Sequence, residues 1–177
     1  MGWKIIGVMP HDVKKSVIVA APHTSNWDFI IGRIAFYIMR INVGFLIKKE
    51  SFVGPLGFIL KKMGAIPVDR RKNNRMIDQI KTKFDQSESF HIIITPEGTR
   101  SLVKNWRKGY YHIATSANVP IALSYMDYKK KEGGIKEILF PSGDYEKDFE
   151  KIKEAYKGVS AKYPEKFNLS SMYREEA

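Results

Sequence analysis

A chain of 177 residues with 44% hydrophobic content is long enough for one well-filled core and short for more, so a single domain over residues 1–177 is expected. It contains no cysteine, which excludes a disulfide framework, a thiolate nucleophile and a cysteine-based zinc cluster. The net charge of +11, from 30 Lys+Arg against 19 Asp+Glu, calls for a polyanionic partner or surface: nucleic acid, anionic lipid or a phosphorylated substrate.

In chain order, the start Met1-Gly2-Trp3-Lys4 runs into Pro10-His11-Asp12 and is too interrupted for a signal peptide. Residues 16–21 read as a buried strand, 26–40 as a helix and 43–48 as a second strand. Gly54-Pro55 opens a helix to residue 62, a short strand covers 65–68, and 73–86 form a helix with Met76, Ile77, Ile80 and Phe84 at helical spacing. A strand over 90–95, a helix over 106–117 and a strand over 119–125 follow. Gly133-Gly134 is expected to turn the chain into 135–140, ahead of a charged amphipathic helix over 145–159 and a loosely held tail from Tyr163. Strands alternating with helices predict an α/β sandwich in one domain, with a mostly buried, mixed central sheet flanked by helices.

Two segments are unusually apolar. The first helix, from Trp27 to Met39, is apolar almost all round, and such a helix is expected in the core. The second, Phe52 to Leu60, is bracketed by Lys48-Lys49 and Lys61-Lys62, which suits an interfacial element with basic residues at headgroup level. No apolar run approaches the roughly 18 residues that cross a bilayer. Further basic residues gather at Arg70-Arg71-Lys72, Lys104 to Lys108 and Lys129-Lys130-Lys131; each alone is read equally well as a solvated face. No zinc-finger spacing and no ribonucleoprotein aromatic motif is present, so an anionic membrane surface is the expected partner and nucleic acid is not. The expected location is cytoplasmic, peripheral on the inner face of the membrane, without a transmembrane span.

Two short blocks carry the chemistry. Pro22-His23-Thr24-Ser25-Asn26-Trp27-Asp28 follows Val17-Ile18-Val19, and Thr95-Pro96-Glu97-Gly98-Thr99-Arg100-Ser101 follows Ile92-Ile93-Ile94. Each therefore sits where a strand empties into a loop, the usual place for chemistry in an α/β sheet. Each also has a plain structural reading. Ser25-x-x-Asp28 before an apolar run is a capping-box-like helix start, and Pro-Glu-Gly is a turn. Positions five apart lie roughly 140° around a helix, so His23 meets Asp28 only if His23 stays in the loop and Asp28 lies in the first turn.

Together and in this order the blocks resemble the glycerolipid acyltransferases, the 1-acylglycerol-3-phosphate acyltransferase family, marked by His-x4-Asp and then Glu-Gly-Thr-Arg. Gly64-Ala65-Ile66-Pro67-Val68-Asp69-Arg70 looks like the family's Gly-x-Ile-x-x-Asp-Arg segment, and Val119-Pro120-Ile121 like its Val-Pro-Ile strand. The resemblance covers about residues 16–127. It departs from the pattern at Pro22, where Asn commonly precedes the histidine; after Ile121, where a second proline is missing; and in lacking the N-terminal hydrophobic segment of many members, which leaves the acyl acceptor open.

The resemblance implies direct transfer of a fatty acyl group from acyl-CoA or acyl-carrier protein to the hydroxyl of a lysophospholipid acceptor such as 1-acylglycerol-3-phosphate, with no cofactor and no metal. Histidine, with a reference pKa of about 6.5, is suited to taking the hydroxyl proton and returning it to the leaving thiolate. His23 is thus the candidate base, and Asp28 the carboxylate that fixes its tautomer. The resemblance also implies that Arg70 and Arg100 bind an acceptor phosphate, that Glu97 contacts a glycerol hydroxyl or orients Arg100, and that Gly98 and Thr99 belong to the same site. Backbone N–H groups near Gly98 or in the His23 loop are candidates for the oxyanion. His11, His91 and His112 lack ligand spacing and are expected to be structural. A lipid esterase or thioesterase using the same pair, and a non-catalytic membrane-surface lipid-binding module, are the competing readings.

Overall fold

The computed structural model describes residues 2–68, 73–167 and 169, with the side chains of 73–75 also outside the description. Seven strands form one sheet: β1 (Lys4–Ile5), β2 (Lys15–Ala20), β3 (Val43–Lys48), β4 (Ala65–Val68), β5 (Phe90–Ile94), β6 (Ile121–Asp127) and β7 (Glu132–Leu139). The helices are α1 (Asn26–Ile38), α2 (Gly54–Lys62), α3 (Asn73–Asp85), α4 (Gly109–Ala117) and α5 (Tyr145–Tyr156). The strand order β1-β7-β6-β2-β5-β3-β4 makes β2 to β6 a parallel block, to which β7 adds antiparallel on β6 and β1 adds parallel on β7. This is the mixed, helix-flanked α/β sheet that the alternation of elements predicts.

β2 alternates between two cores, as a period of two requires. Val17 and Val19 point into the larger one, with Ile80 and Phe84 of α3, Tyr110 and Ile113 of α4, and Ile152 and Tyr156 of α5. Ile18 points to the other face, where Phe36 of α1 packs with Met9, Val43, Ala122 and Ile135. Helices therefore cover both faces, but unequally. Among the described residues of α1 only Asp28 and Phe36 are buried, while Tyr37 is 84% and Ile38 61% exposed. The expectation that this helix packs in the core is corrected: a helix apolar on nearly every side is buried only if something covers all its faces, and here the sheet covers one.

Gly133 and Gly134 do not turn the chain; they lie inside β7, and the turn comes before them. Gly134 and Gly7 serve a close approach, since a Cβ on Gly134 would stand 2.2 Å from the Ile6 carbonyl oxygen and one on Gly7 2.1 Å from that of Ile135. That approach admits β1, a two-residue strand without a readable pattern in the sequence. α4 begins at Gly109 rather than 106, because Trp106 is a buried loop residue set edge-on to Phe149 and Tyr156. Of the tail expected to be loosely held from Tyr163, residues 168 and 170–177 lie outside the described residues. The backbone N–H of Tyr163 donates to Thr24 Oγ1 at 3.3 Å, and Pro164–Lys166 form a short 3-10 turn.

Candidate active site

β2 and β5 are neighbours in register, Val17 opposite Ile92 and Val19 opposite Ile94, so the loops that leave their C-terminal ends emerge side by side. This is why two blocks more than 70 residues apart come together: the backbone N–H of His23 donates to Glu97 Oε1 at 3.0 Å (sequence separation 74).

His23 stays in the loop, after the cis peptide bond Ala21–Pro22, and Ser25 caps α1. The Ser25 side chain accepts from the Trp27 N–H at 3.1 Å, while Asp28 Oδ2 accepts from the N–H groups of Ser25 at 2.8 Å and Thr24 at 2.7 Å. The capping geometry does not take Asp28 away from the histidine: the same Oδ2 lies 3.3 Å from His23 Nδ1. Oδ1 accepts from the Tyr128 hydroxyl at 2.6 Å. Burial raises the Asp28 carboxyl, but hydrogen bonds from His23, Tyr128 and the backbone of Ser25 and Thr24 outweigh it and hold the group below the usual carboxylate range. Asp28 is 4% exposed and His23 half-buried.

Glu97 is 5% exposed, and among the described residues its Oε2 has no partner. Burial pushes its carboxyl up to about 7, against the hydrogen bonds from its own backbone and from that of His23. It braces the His23 backbone, and the Arg100 guanidinium bonds instead to Asn26 Oδ1, so Arg100 ties the second loop to the first turn of α1. Arg100 and Thr99 are exposed, and the Ser101 N–H donates to Thr99 Oγ1 at 3.3 Å. Gly98 has φ of +64°, and a Cβ there would stand 2.9 Å from Arg107 Nε, so this position needs glycine for both its backbone conformation and its contact. Arg70 lies outside the described residues.

The backbone N–H groups considered for an oxyanion are engaged: those of His23, Thr24 and Ser25 with carboxylates, and that of Gly98 with the Thr95 carbonyl at 3.0 Å. His91, as expected, is structural, its Nδ1 2.8 Å from Ser16 Oγ in the buried sheet. The contacts of Asn26, Arg107 and Tyr128 escaped the sequence reading: Asn26 opens α1, Arg107 follows the second motif block, and Tyr128 belongs to a turn about 100 residues from Asp28.

His23, Asn26, Thr99, Arg100 and Arg107 share one cavity of about 1450 Å³ with the apolar side chains Phe29, Ile30, Ile34, Phe45, Ile77 and Ile93. A polar, cationic end joined to an apolar trough fits an amphiphile with an anionic head. Among the described residues no helix is long and apolar enough to cross a membrane.

No curated protein and no solved structure matches the chain. The family model described as Acyltransferase matches residues 6–127, a span that holds β2 to β6 and both loops that meet at His23. By that match over more than half of its length, the chain belongs to the glycerolipid acyltransferase family, and the protein is an acyltransferase.

Proposed function

We propose that the protein transfers a fatty acyl group from the thioester of acyl-CoA or acyl-carrier protein to the hydroxyl of a lysophospholipid such as 1-acylglycerol-3-phosphate, with His23 as general base and Asp28 as its orienting carboxylate. The observation that carries this reading is the His23 Nδ1 to Asp28 Oδ2 contact of 3.3 Å at the cationic end of an apolar cavity. With Nδ1 facing the carboxylate, Nε2 is the nitrogen that takes the acceptor's hydroxyl proton. The oxygen attacks the thioester carbonyl, a tetrahedral oxyanion forms, and the C–S bond breaks as Nε2 returns the proton to the departing thiolate. An ester and a free thiol result. The thioester is itself the activated acyl group, so the reaction uses no further cofactor.

Arg100, beside Thr99 and Gly98, supports an anionic acceptor, because guanidinium presents two parallel donors to phosphate. Family resemblance assigns Arg70 the same task. Glu97 supports the site through the His23 backbone. The charge of +11, with exposed Trp27, Ile38, Leu56 and Phe58 on α1 and α2, supports work at an anionic membrane surface as a peripheral protein.

The test is turnover of radiolabelled acyl-CoA and acyl-carrier protein against a panel of lysolipids, with His23→Ala as the variant. Labelled phospholipid that vanishes in a folded His23→Ala variant supports the proposal. Free fatty acid in place of acylated lipid makes the protein a hydrolase, and binding of lysolipid with neither product makes it a binding module. Near-normal transfer by His23→Ala removes His23 as the base.

A further inference from the structure

Asp28 is held from behind by a residue beyond the span that matches the family. The Tyr128 hydroxyl donates to Asp28 Oδ1 at 2.6 Å, on the oxygen that His23 does not use. Tyr128 sits in the turn between β6 and β7, just past residue 127 where the match ends. Its placement is over-determined. Asp127, 2% exposed, accepts from the N–H groups of Lys129 at 3.0 Å and Lys130 at 2.9 Å through Oδ1, and from Ser160 at 3.3 Å through Oδ2. The Tyr128 N–H donates to the Ser160 carbonyl at 2.8 Å. Trp3 meets the phenol ring edge-on at 5.0 Å, and the Lys162 ammonium lies 5.9 Å from the same ring and 5.1 Å from that of Trp27. Three segments far apart in sequence thus converge to aim one hydroxyl at one carboxylate oxygen.

We infer that Tyr128 is a positioning residue for acyl transfer: its hydroxyl fixes the rotation of the Asp28 carboxylate so that Oδ2 stays on His23 Nδ1. The inference rests on the reading of His23 as the base. The Thr24 and Ser25 N–H groups anchor Oδ2, and the Tyr128 donor on Oδ1 adds the second anchor that fixes the tilt of the carboxylate plane. The hydroxyl also draws negative charge from Asp28 and so moderates how strongly the carboxylate holds an imidazolium. Burial, and then the bond to Asp28, push the Tyr128 phenol up, which keeps it a donor at any working pH. The charged and titratable groups around the pair are Asp28, Glu97 and His23 on the loop side, with Lys162 and Tyr163 on the outer side.

The test uses two variants of the full chain. Tyr128→Phe keeps the ring against Trp3 and Lys162 and removes only the hydroxyl; replacing Tyr128 by trifluorotyrosine keeps the hydroxyl and makes it a stronger donor. Tyr128→Phe is expected to lower kcat by about tenfold or more with the acceptor KM unchanged, the signature of an interaction made in the transition state. The acid limb of the kcat/KM profile is expected to move to higher pH in Tyr128→Phe and to lower pH in the fluorinated protein, since an unmoderated carboxylate holds the imidazolium more tightly. A merely structural tyrosine would move the melting temperature and neither limb. Wild-type kcat and pH profile in the fluorinated protein overturn the inference even if Tyr128→Phe fails to fold. His23→Ala run alongside separates the two failures: an active His23→Ala sinks the base reading, whereas an inactive one beside unaffected Tyr128 variants sinks only the role of Tyr128.

Discussion

Ser25 and Asp28 cap the same helix for each other, and the oxygen with which Asp28 does so is the one that faces His23. The cap and the proposed chemistry therefore share one carboxylate, and two substitutions separate them. Asp28→Asn can leave a carbonyl oxygen toward the Ser25 and Thr24 N–H groups while losing the charge. It should melt below wild type but above Asp28→Ala, because the acceptor is kept while the favoured negative charge at the helix start is lost, and should lose on the order of 10²–10⁴-fold in turnover. Asp28→Ala should lose both. Thermal melts beside turnover check this, and an Asp28→Asn protein of normal rate would reduce Asp28 to a cap.

Glu97 should make the protein less stable as pH rises. In the unfolded chain the carboxyl releases its proton near its ordinary value of 4.5, whereas in the fold burial holds the proton up to about 7. The folded state thus binds the extra proton between these values, so the contribution is complete below about 4.5 and is lost as pH climbs through 7. The full swing is about 3 kcal/mol. Denaturant midpoints from pH 5 to 8 should fall in wild type more steeply than in Glu97→Gln, which keeps an acceptor for the His23 N–H. Equal slopes would mean that Glu97 is ionised in the fold throughout.

Arg100→Lys keeps the positive charge but loses the planar fork, and with it the bond to Asn26 in its present form. The expected result is a raised KM for a phosphorylated acceptor and little change for the acyl donor. Initial rates with each substrate varied in turn decide it, and an equal loss for both would make Arg100 a strut between the loops.

Membrane attachment should respond separately to charge and to apolar side chains. Leu56 and Phe58 are 56% and 63% exposed on α2, which ends in Lys61 and Lys62. Sedimentation with anionic vesicles should fall steeply in 1 M salt, where the Debye length is about 3 Å. Changing Leu56 and Phe58 together to Ser should remove the salt-resistant remainder while sparing turnover of a short-chain soluble acceptor. No preference for anionic over neutral vesicles at low salt would direct the basic surface to another polyanion.

Much of the parallel block was legible because its strands are β-branched runs and its loops carry motifs; the adjacency of β2 and β5 then joins His23 to Glu97. What escaped depends on partners that no local pattern encodes. The apolar periodicity of α1 says nothing about whether other elements exist to cover it, and Phe29 and Ile30 stay 42% and 45% exposed along the cavity side of the helix. Gly133 and Gly134 read as a turn, because the backbone of Ile6 and Gly7 that Gly134 makes room for comes from the far end of the chain. Tyr128 is one of nine tyrosines until the fold brings its hydroxyl to Asp28.

Three consecutive amides, those of His23, Thr24 and Ser25, are donated to buried carboxylates. Hydrogen exchange at such amides requires the loop to detach from Glu97 and Asp28 together, so this surface segment should hold its protons as a core strand does, far longer than loops ordinarily do. The loop that carries His23 is consequently expected to be among the stiffer parts of the protein.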